Sequence, residues 1–205
     1  MSFKNIWKKF VLETKTEGAI VAIYGPSASG KSVARDVFVE NGWEKIVSYT
    51  TRPPRSPAEE EEGEYDFISQ KEFDNLLNQE RLINVNLFYA DKSYGIDIRK
   101  LVEAKKAVMI TDKSSVFMLK SQLEDMGKKM VLIYVTAPPK ELMRRQRARL
   151  EKGEYTEPQE LESRLRELEK EIKSEVKIKE FADFVIMRED IQDTILDAER
   201  LATTI

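Results

Sequence analysis

The octapeptide GPSASGKS, Gly25–Ser32, constrains this chain more than any other stretch of it. It fits G-x-x-x-x-G-K-[ST] at every fixed position. An apolar run, GAIVAIYG (18–25), leads in, and KSVARDVFVE (31–40) leads out with a helical pattern closed by Asn41-Gly42. A short apolar run ending in glycine suits a buried parallel strand. Gly25 and Gly30 admit backbone angles that a side chain would block. The segment Gly25, Pro26, Ser27, Ala28, Ser29, Gly30, Lys31 and Ser32 can then turn its N–H groups inward as a nest for phosphate oxygens. The helix that follows aims the positive end of its dipole at the same place. Lys31 supplies a point charge for β- and γ-phosphates, and Ser32 a hydroxyl for magnesium, directly or through water. The feature specifies a nucleoside triphosphate as ligand and leaves open what is done with it.

Further apolar runs follow at IVSY (46–49), AVMIT (107–111), MVLIYV (130–135) and FVIM (184–187). Helical patterns at 97–105, 114–127, 139–151 and 191–203 separate most of them. Strands alternating with helices predict an α/β fold, a P-loop NTPase three-layer sandwich with a parallel core sheet. Residues 50–95 break this rhythm with three prolines, an acidic run at Glu59–Glu62 and short mixed runs. They read as a small insertion sub-domain of short antiparallel strands and one helix at 69–79, the acidic run being a solvated loop. Residues 157–179 read as a strongly charged helix with a narrow stripe, Leu161, Leu165, Leu168 and Ile172. So polar a helix is partly detached from the core, as a hairpin or lid would be.

Phe3, Ile6, Trp7, Phe10 and Val11 form one apolar stripe, so 1–17 reads as a helical extension. It either packs on its own domain or docks on a membrane surface or a partner. The rest divides into core (18–49, 96–140 and 180–205), insertion (50–95) and a lid at 141–179.

With no Cys and no His among 205 residues, thiol nucleophiles, Ser-His triads, histidine bases and zinc fingers are excluded. A net charge of −3 gives no electrostatic case for nucleic acid. No apolar run reaches the ~18 residues of a membrane helix, and the lysine-rich start has no signal-peptide cleavage site. A cytoplasmic protein, monomer or homodimer, is expected.

Fifteen residues beyond the loop comes SYTTRPPR, Ser48–Arg55. Two prolines stiffen the turn that holds Arg52 and Arg55 three apart, and two guanidinium forks on a rigid turn suit one phosphate group. GEYDFIS (63–69), KSYGID (92–97), VLIYVTAPP (131–139), LMRRQRAR (142–149) and ESRL (162–165) complete a series. With it, the chain from about Gly18 to Ile205 resembles the guanylate kinase family of P-loop nucleoside monophosphate kinases.

The resemblance implies phosphoryl transfer from ATP, with magnesium, to a nucleoside monophosphate, GMP or dGMP first. It places the acceptor phosphate on Arg52, Arg55, Tyr65 and Tyr94, with Ser48 kept. Lid arginines fall on Arg145, Arg149 and Arg164, to act with Lys31 on the transferring group. Asp112 helps organise magnesium, beside Ser32, or orients the acceptor. The base readers depart from the family: Asn84 stands where a glutamate reads guanine, Ile96 where a serine or threonine does, and Ile110 replaces one of two acidic residues. Two other readings follow: a kinase of the same fold acting on another (deoxy)nucleotide or on ribose 1,5-bisphosphate, and an inactive binding module.

Overall fold

The computed structural model describes residues 18–54, 57–61, 63–88, 92–113, 115–151, 158–174 and 176–205. The expected helix at 1–17 lies outside them. Nine strands and nine helices occur among the described residues. In chain order they are β1 Ala19–Tyr24, α1 Lys31–Glu40, β2 Glu44–Lys45, β3 Tyr49–Thr50, α2 Pro57–Glu61, β4 Asp66–Phe67, α3 Gln70–Asn78, β5 Leu82–Phe88 and β6 Lys92–Asp97. Then come α4 Ile98–Glu103, β7 Lys106–Ile110, α5 Val116–Asp125, β8 Lys129–Thr136, α6 Pro139–Glu151, α7 Pro158–Ser174, α8 Val176–Phe181, β9 Phe184–Met187 and α9 Ile191–Thr204. The larger sheet is parallel, with strand order β2-β7-β1-β8-β9; the smaller is mixed, β4-β3-β6-β5. This is the predicted α/β architecture. Among the described residues no helix is long and apolar enough to cross a membrane.

The chain divides into two compact units. The first runs to Ile20 and takes in Glu44–Met109 and Ser114–Met130; the second holds Val21–Trp43, Ile110–Lys113 and Val131–Ile205.

In the first unit, the run at 46–49 does not make one strand. β2 pairs with β7 in the large sheet, and the Ile46 N–H extends that pairing to the Val108 carbonyl. The chain then crosses to the small sheet as β3. There β3 pairs antiparallel with β6 but parallel with β4, so the insertion is not wholly antiparallel. The intervening α2 supplies the crossover that a parallel pair requires. It also corrects the reading of the acidic run, whose first three glutamates end this helix. α3 forms where predicted because Ser69 and Glu72 make a capping box: Ser69 Oγ accepts from the Glu72 N–H, and the Glu72 carboxylate accepts from the Ser69 N–H. Its Phe73 and the β6 residue Ile96 are fully buried.

In the second unit, α1 packs on α9. Phe38 meets Trp43 edge to face, and Trp43 Nε1 donates to the Ala202 carbonyl at 3.1 Å. The charged helix α7 is less detached than its composition predicts. Leu168 is fully buried against Leu142 of α6 and Ala137, with Met143 and Ile172 alongside. Burying one leucine contributes about 2 kcal/mol, enough to hold the second half of a polar helix. FVIM forms β9, but at the sheet edge only Ile186 is buried, while Phe184, Val185 and Met187 are exposed.

Candidate active site

The loop between β1 and α1 belongs to the second unit. A Cβ on Gly25 would lie 1.9 Å from the Val135 carbonyl oxygen, so only glycine lets the loop leave β1 this close to β8. Gly30 has φ +99°, open to glycine at little cost, and Ala28 holds φ +62°. Gly30 is the N-cap of α1 and, having no side chain, makes no side-chain cap bond to its first turn. Ser29 Oγ is buried without a partner among the described residues. Lys31 folds back and donates to the Gly25 and Pro26 carbonyls at 2.8 and 2.7 Å. Ser32 is exposed at the helix start. The whole arrangement is a cradle of donors, shaped for an anion.

α6 and α7 bring further groups to that loop. Arg145 Nη1 reaches the Ala28 and Ser29 carbonyls at 3.3 Å each, and its Nη2 donates to the Glu189 carbonyl at 2.7 Å. Glu141, one turn earlier, accepts from Arg145 Nε and Arg144 Nε. The Arg144 hydrogen bond chiefly, then Arg145, holds the Glu141 carboxyl down at about 2 despite some desolvation. Arg145 thus ties helix, loop and the turn before α9 together. Arg149 is half-buried one turn on. Arg164 pairs along its own helix with Glu167 at 3.1 Å. Asp112 is exposed just past β7, where the Thr111 N–H bonds the Ile23 carbonyl of β1. That is the carboxyl edge of the sheet, where α/β folds place their ligands.

Two groups on this loop escape a reading of the sequence. Glu171 of α7 accepts from the Ser27 backbone N–H at 3.0 Å, and Gln146 Oε1 accepts from Ser27 Oγ at 3.4 Å. Nothing in a charged helix singles out Glu171; only its position beside the apolar stripe, next to Ile172, hints that it faces inward.

In the first unit the register builds a separate cluster. Thr50 of β3 lies between Phe67 of β4 and Tyr94 of β6. Two residues on, Arg52 enters the space beside them. Its guanidinium lies 5.5 Å from the Tyr65 ring and 5.5 Å from the Phe67 ring, and Tyr65 meets Tyr94 at 5.8 Å. Three of the four expected acceptor-phosphate residues therefore cluster; Arg55 lies outside the described residues. Arg52 Nη2 and Nη1 donate to the two Glu59 oxygens at 2.7 and 3.0 Å. Burial works against the Arg52 charge, but Glu59 and then Tyr94 outweigh it and raise its pKa. Glu59 was missed because an acidic run reads as solvent; the Pro at the first helical turn, Pro57, is the signal that could have found it. Ser48 is half-buried at the start of β3. Ile96 is wholly within the core of this unit. Asn84 lies in β5 at a register shift between Ile83 and Asn86, and its side chain is outside the described set.

Magnesium, implied by the resemblance, fits these residues. The Ser32 hydroxyl and the Asp112 carboxylate are the hard oxygen donors that this ion prefers. Among the described residues there is no group of three or more acidic or other ligating side chains.

A profile of the family described as Guanylate kinase matches residues 17–204. The chain belongs to the guanylate kinase family. That is a family of nucleoside monophosphate kinases. Among curated family members, the guanylate kinase of Wolbachia sp. subsp. Brugia malayi (strain TRS) is 28% identical over 202 residues, covering 93% of this chain and 97% of its own. That of Wolbachia pipientis wMel is 29% identical over 202 residues, covering 93% and 94%. The crystal structure of guanylate kinase from Anaplasma phagocytophilum superposes with a TM-score of 0.64 at 23% identity, over 92% of this chain and 86% of that one. The last comparison supports the fold.

Proposed function

We propose that the chain transfers the terminal phosphoryl group of ATP to a nucleoside monophosphate, with GMP or dGMP the leading acceptor. The observation that carries this is the donor cradle at Gly25–Ser32, intact in a member of this family. A binding module would not need to keep Lys31, Ser32 and the lid arginines together.

The acceptor phosphate oxygen attacks the γ-phosphorus, the bond from that phosphorus to the β–γ bridging oxygen breaks, and ADP leaves. Little covalent help is needed; alignment and charge neutralisation do the work. The first-turn N–H groups of α1 hold the donor phosphates. Lys31 exchanges its two loop carbonyls for β- and γ-phosphate oxygens. Arg149 and Arg164 take up charge that develops on the transferring group. Arg145, already bound to loop carbonyls, keeps α6 in place over the loop. Arg52, Arg55, Tyr65 and Tyr94 hold the acceptor phosphate. Ser32, with Asp112, would hold magnesium, which when bound would neutralise phosphate charge.

One observation favours a second reading. The position where the family has a hydroxyl carries Ile96, whose side chain is fully buried. A site that reads its base by hydrogen bonds rejects the wrong one by several kcal/mol, so a changed reader favours another (deoxy)nucleotide or ribose 1,5-bisphosphate. An ADP-release screen over all nucleoside mono- and deoxymonophosphates and phosphosugars decides, with Lys31→Ala as the blank. GMP or dGMP should turn over fastest. Turnover of a phosphosugar alone overturns the nucleotide reading, and no turnover with no ATP–magnesium binding leaves the binding module.

A further inference from the structure

We propose that Glu59 is a positioning residue that aims the Arg52 guanidinium at the acceptor phosphate. This rests on the reading of Arg52 as a ligand of that phosphate. The Glu59 carboxylate takes the guanidinium end-on, through Nη2 and Nη1, and Nη1 also donates to the Pro53 carbonyl at 2.9 Å. The Tyr65 and Phe67 rings stand at 5.5 Å and hold its plane. What these contacts leave over is the side edge of the fork. Its Nε–H is buried with no partner among the described residues. The Arg52 side chain is only 7% exposed, so water does not readily serve that N–H. A buried donor without an acceptor carries a desolvation cost. A phosphate oxygen at this edge removes that cost, and the Tyr94 phenol stands against the same guanidinium.

Glu59 therefore decides which edge of Arg52 is on offer. Without it the terminal nitrogens lose both carboxylate oxygens, and the fork is free to turn its end rather than its side to the ligand. The pair is well built for this, since Glu59 is itself only 14% exposed and a bidentate arginine–carboxylate pair fixes orientation as well as charge. The two-residue reach from Thr50 to Arg52 comes from the strand, while Glu59 comes from α2. The acidic run thus acts on the acceptor site through one of its members.

The test uses the full chain, saturating ATP–magnesium, and whichever nucleoside monophosphate the wild type turns over fastest. Acceptor KM and kcat are measured for Glu59→Gln, Glu59→Ala, Arg52→Ala and the double variant Arg52→Ala/Glu59→Ala. Positioning predicts an acceptor KM about tenfold higher in Glu59→Ala and a smaller rise in Glu59→Gln, which keeps one acceptor oxygen. The change should fall on KM far more than on kcat. Removing Glu59 should add nothing once Arg52 is gone. A lower KM in Glu59→Ala overturns the proposal, because the carboxylate would then be competing with the phosphate. An equal rise in both backgrounds also overturns it, since the effect would not pass through Arg52. Should Glu59→Ala not fold by circular dichroism, the near-isosteric Glu59→Gln decides alone, by the same KM criterion. If the wild type phosphorylates no nucleoside monophosphate, the proposed function falls and takes this role with it. If it does, and both Glu59 variants keep the wild-type KM, only the role of Glu59 falls.

Discussion

Glu171 holds the backbone N–H of Ser27 at 3.0 Å, so a carboxylate from α7 sits on the loop proposed to receive phosphate. It occupies one donor of the cradle and adds negative charge beside the others. On the proposed reading a triphosphate displaces it, and nucleotide arrival would then be coupled to movement of α7. Glu171→Gln should tighten ATP–magnesium binding about fivefold by calorimetry, the equivalent of one hydrogen bond of about 1 kcal/mol. Weaker binding would mean that Glu171 helps to hold the nucleotide instead.

Arg52 and Arg149 should fail in different ways. Arg52 is proposed to hold a phosphate charged in ground and transition states alike, so Arg52→Ala should raise acceptor KM and leave most of kcat. Arg149 is proposed to act on charge that develops during transfer, so Arg149→Ala should lower kcat by about a hundredfold. Steady-state kinetics with the acceptor varied separates the two patterns, and identical behaviour would remove the division of roles.

Ile96→Ser restores the hydroxyl that the family carries, but at a position with no exposure. It trades a buried aliphatic side chain for a smaller polar one on β6, opposite Ile83 of β5. A loss of about 3 kcal/mol is expected, read as a large fall in the urea midpoint. A well-folded variant of wild-type stability would show that the position can reach the ligand.

Glu141 makes stability depend on acid. Its carboxyl titrates at about 2 when folded, against an ordinary 4.5. A carboxyl whose folded pKa is depressed contributes stability that is fully present above about pH 4.5 and disappears as pH falls through about 2. Wild type should melt about 3 °C above Glu141→Gln at pH 6, with the gap closing between pH 4.5 and 2. A gap that does not change with pH would show that Glu141 contributes by packing rather than by its charge on Arg144 and Arg145.

Much of the fold is legible because it is written in local periods. GAIVAIY, AVMI and MVLIYV are apolar throughout, as strands buried on both faces must be. The capping pair Ser69 and Glu72 announces α3 from three residues' spacing. The phosphate loop is legible for the same reason: its glycines, lysine and serine act through backbone geometry within eight residues. FVIM shows the limit of this. An edge strand and a central strand share one composition, and only the strand order puts three of its four residues against solvent.

What the sequence determined alone, then, is the loop at Gly25–Ser32, the alternation of strands and helices around it, and the proline-stiffened turn at Arg52. Each depends on neighbours a few residues away. What only the tertiary structure decided is which charges meet. Seven residues separate Arg52 from Glu59, and 144 separate Ser27 from Glu171, with many other carboxylates at similar distances along the chain. Composition makes all of these acids equivalent, because a free carboxylate is hydrated the same way wherever it stands. Burial makes them unequal: the few that lose water must find a donor, and the packing of α2 and α7 chose Glu59 and Glu171.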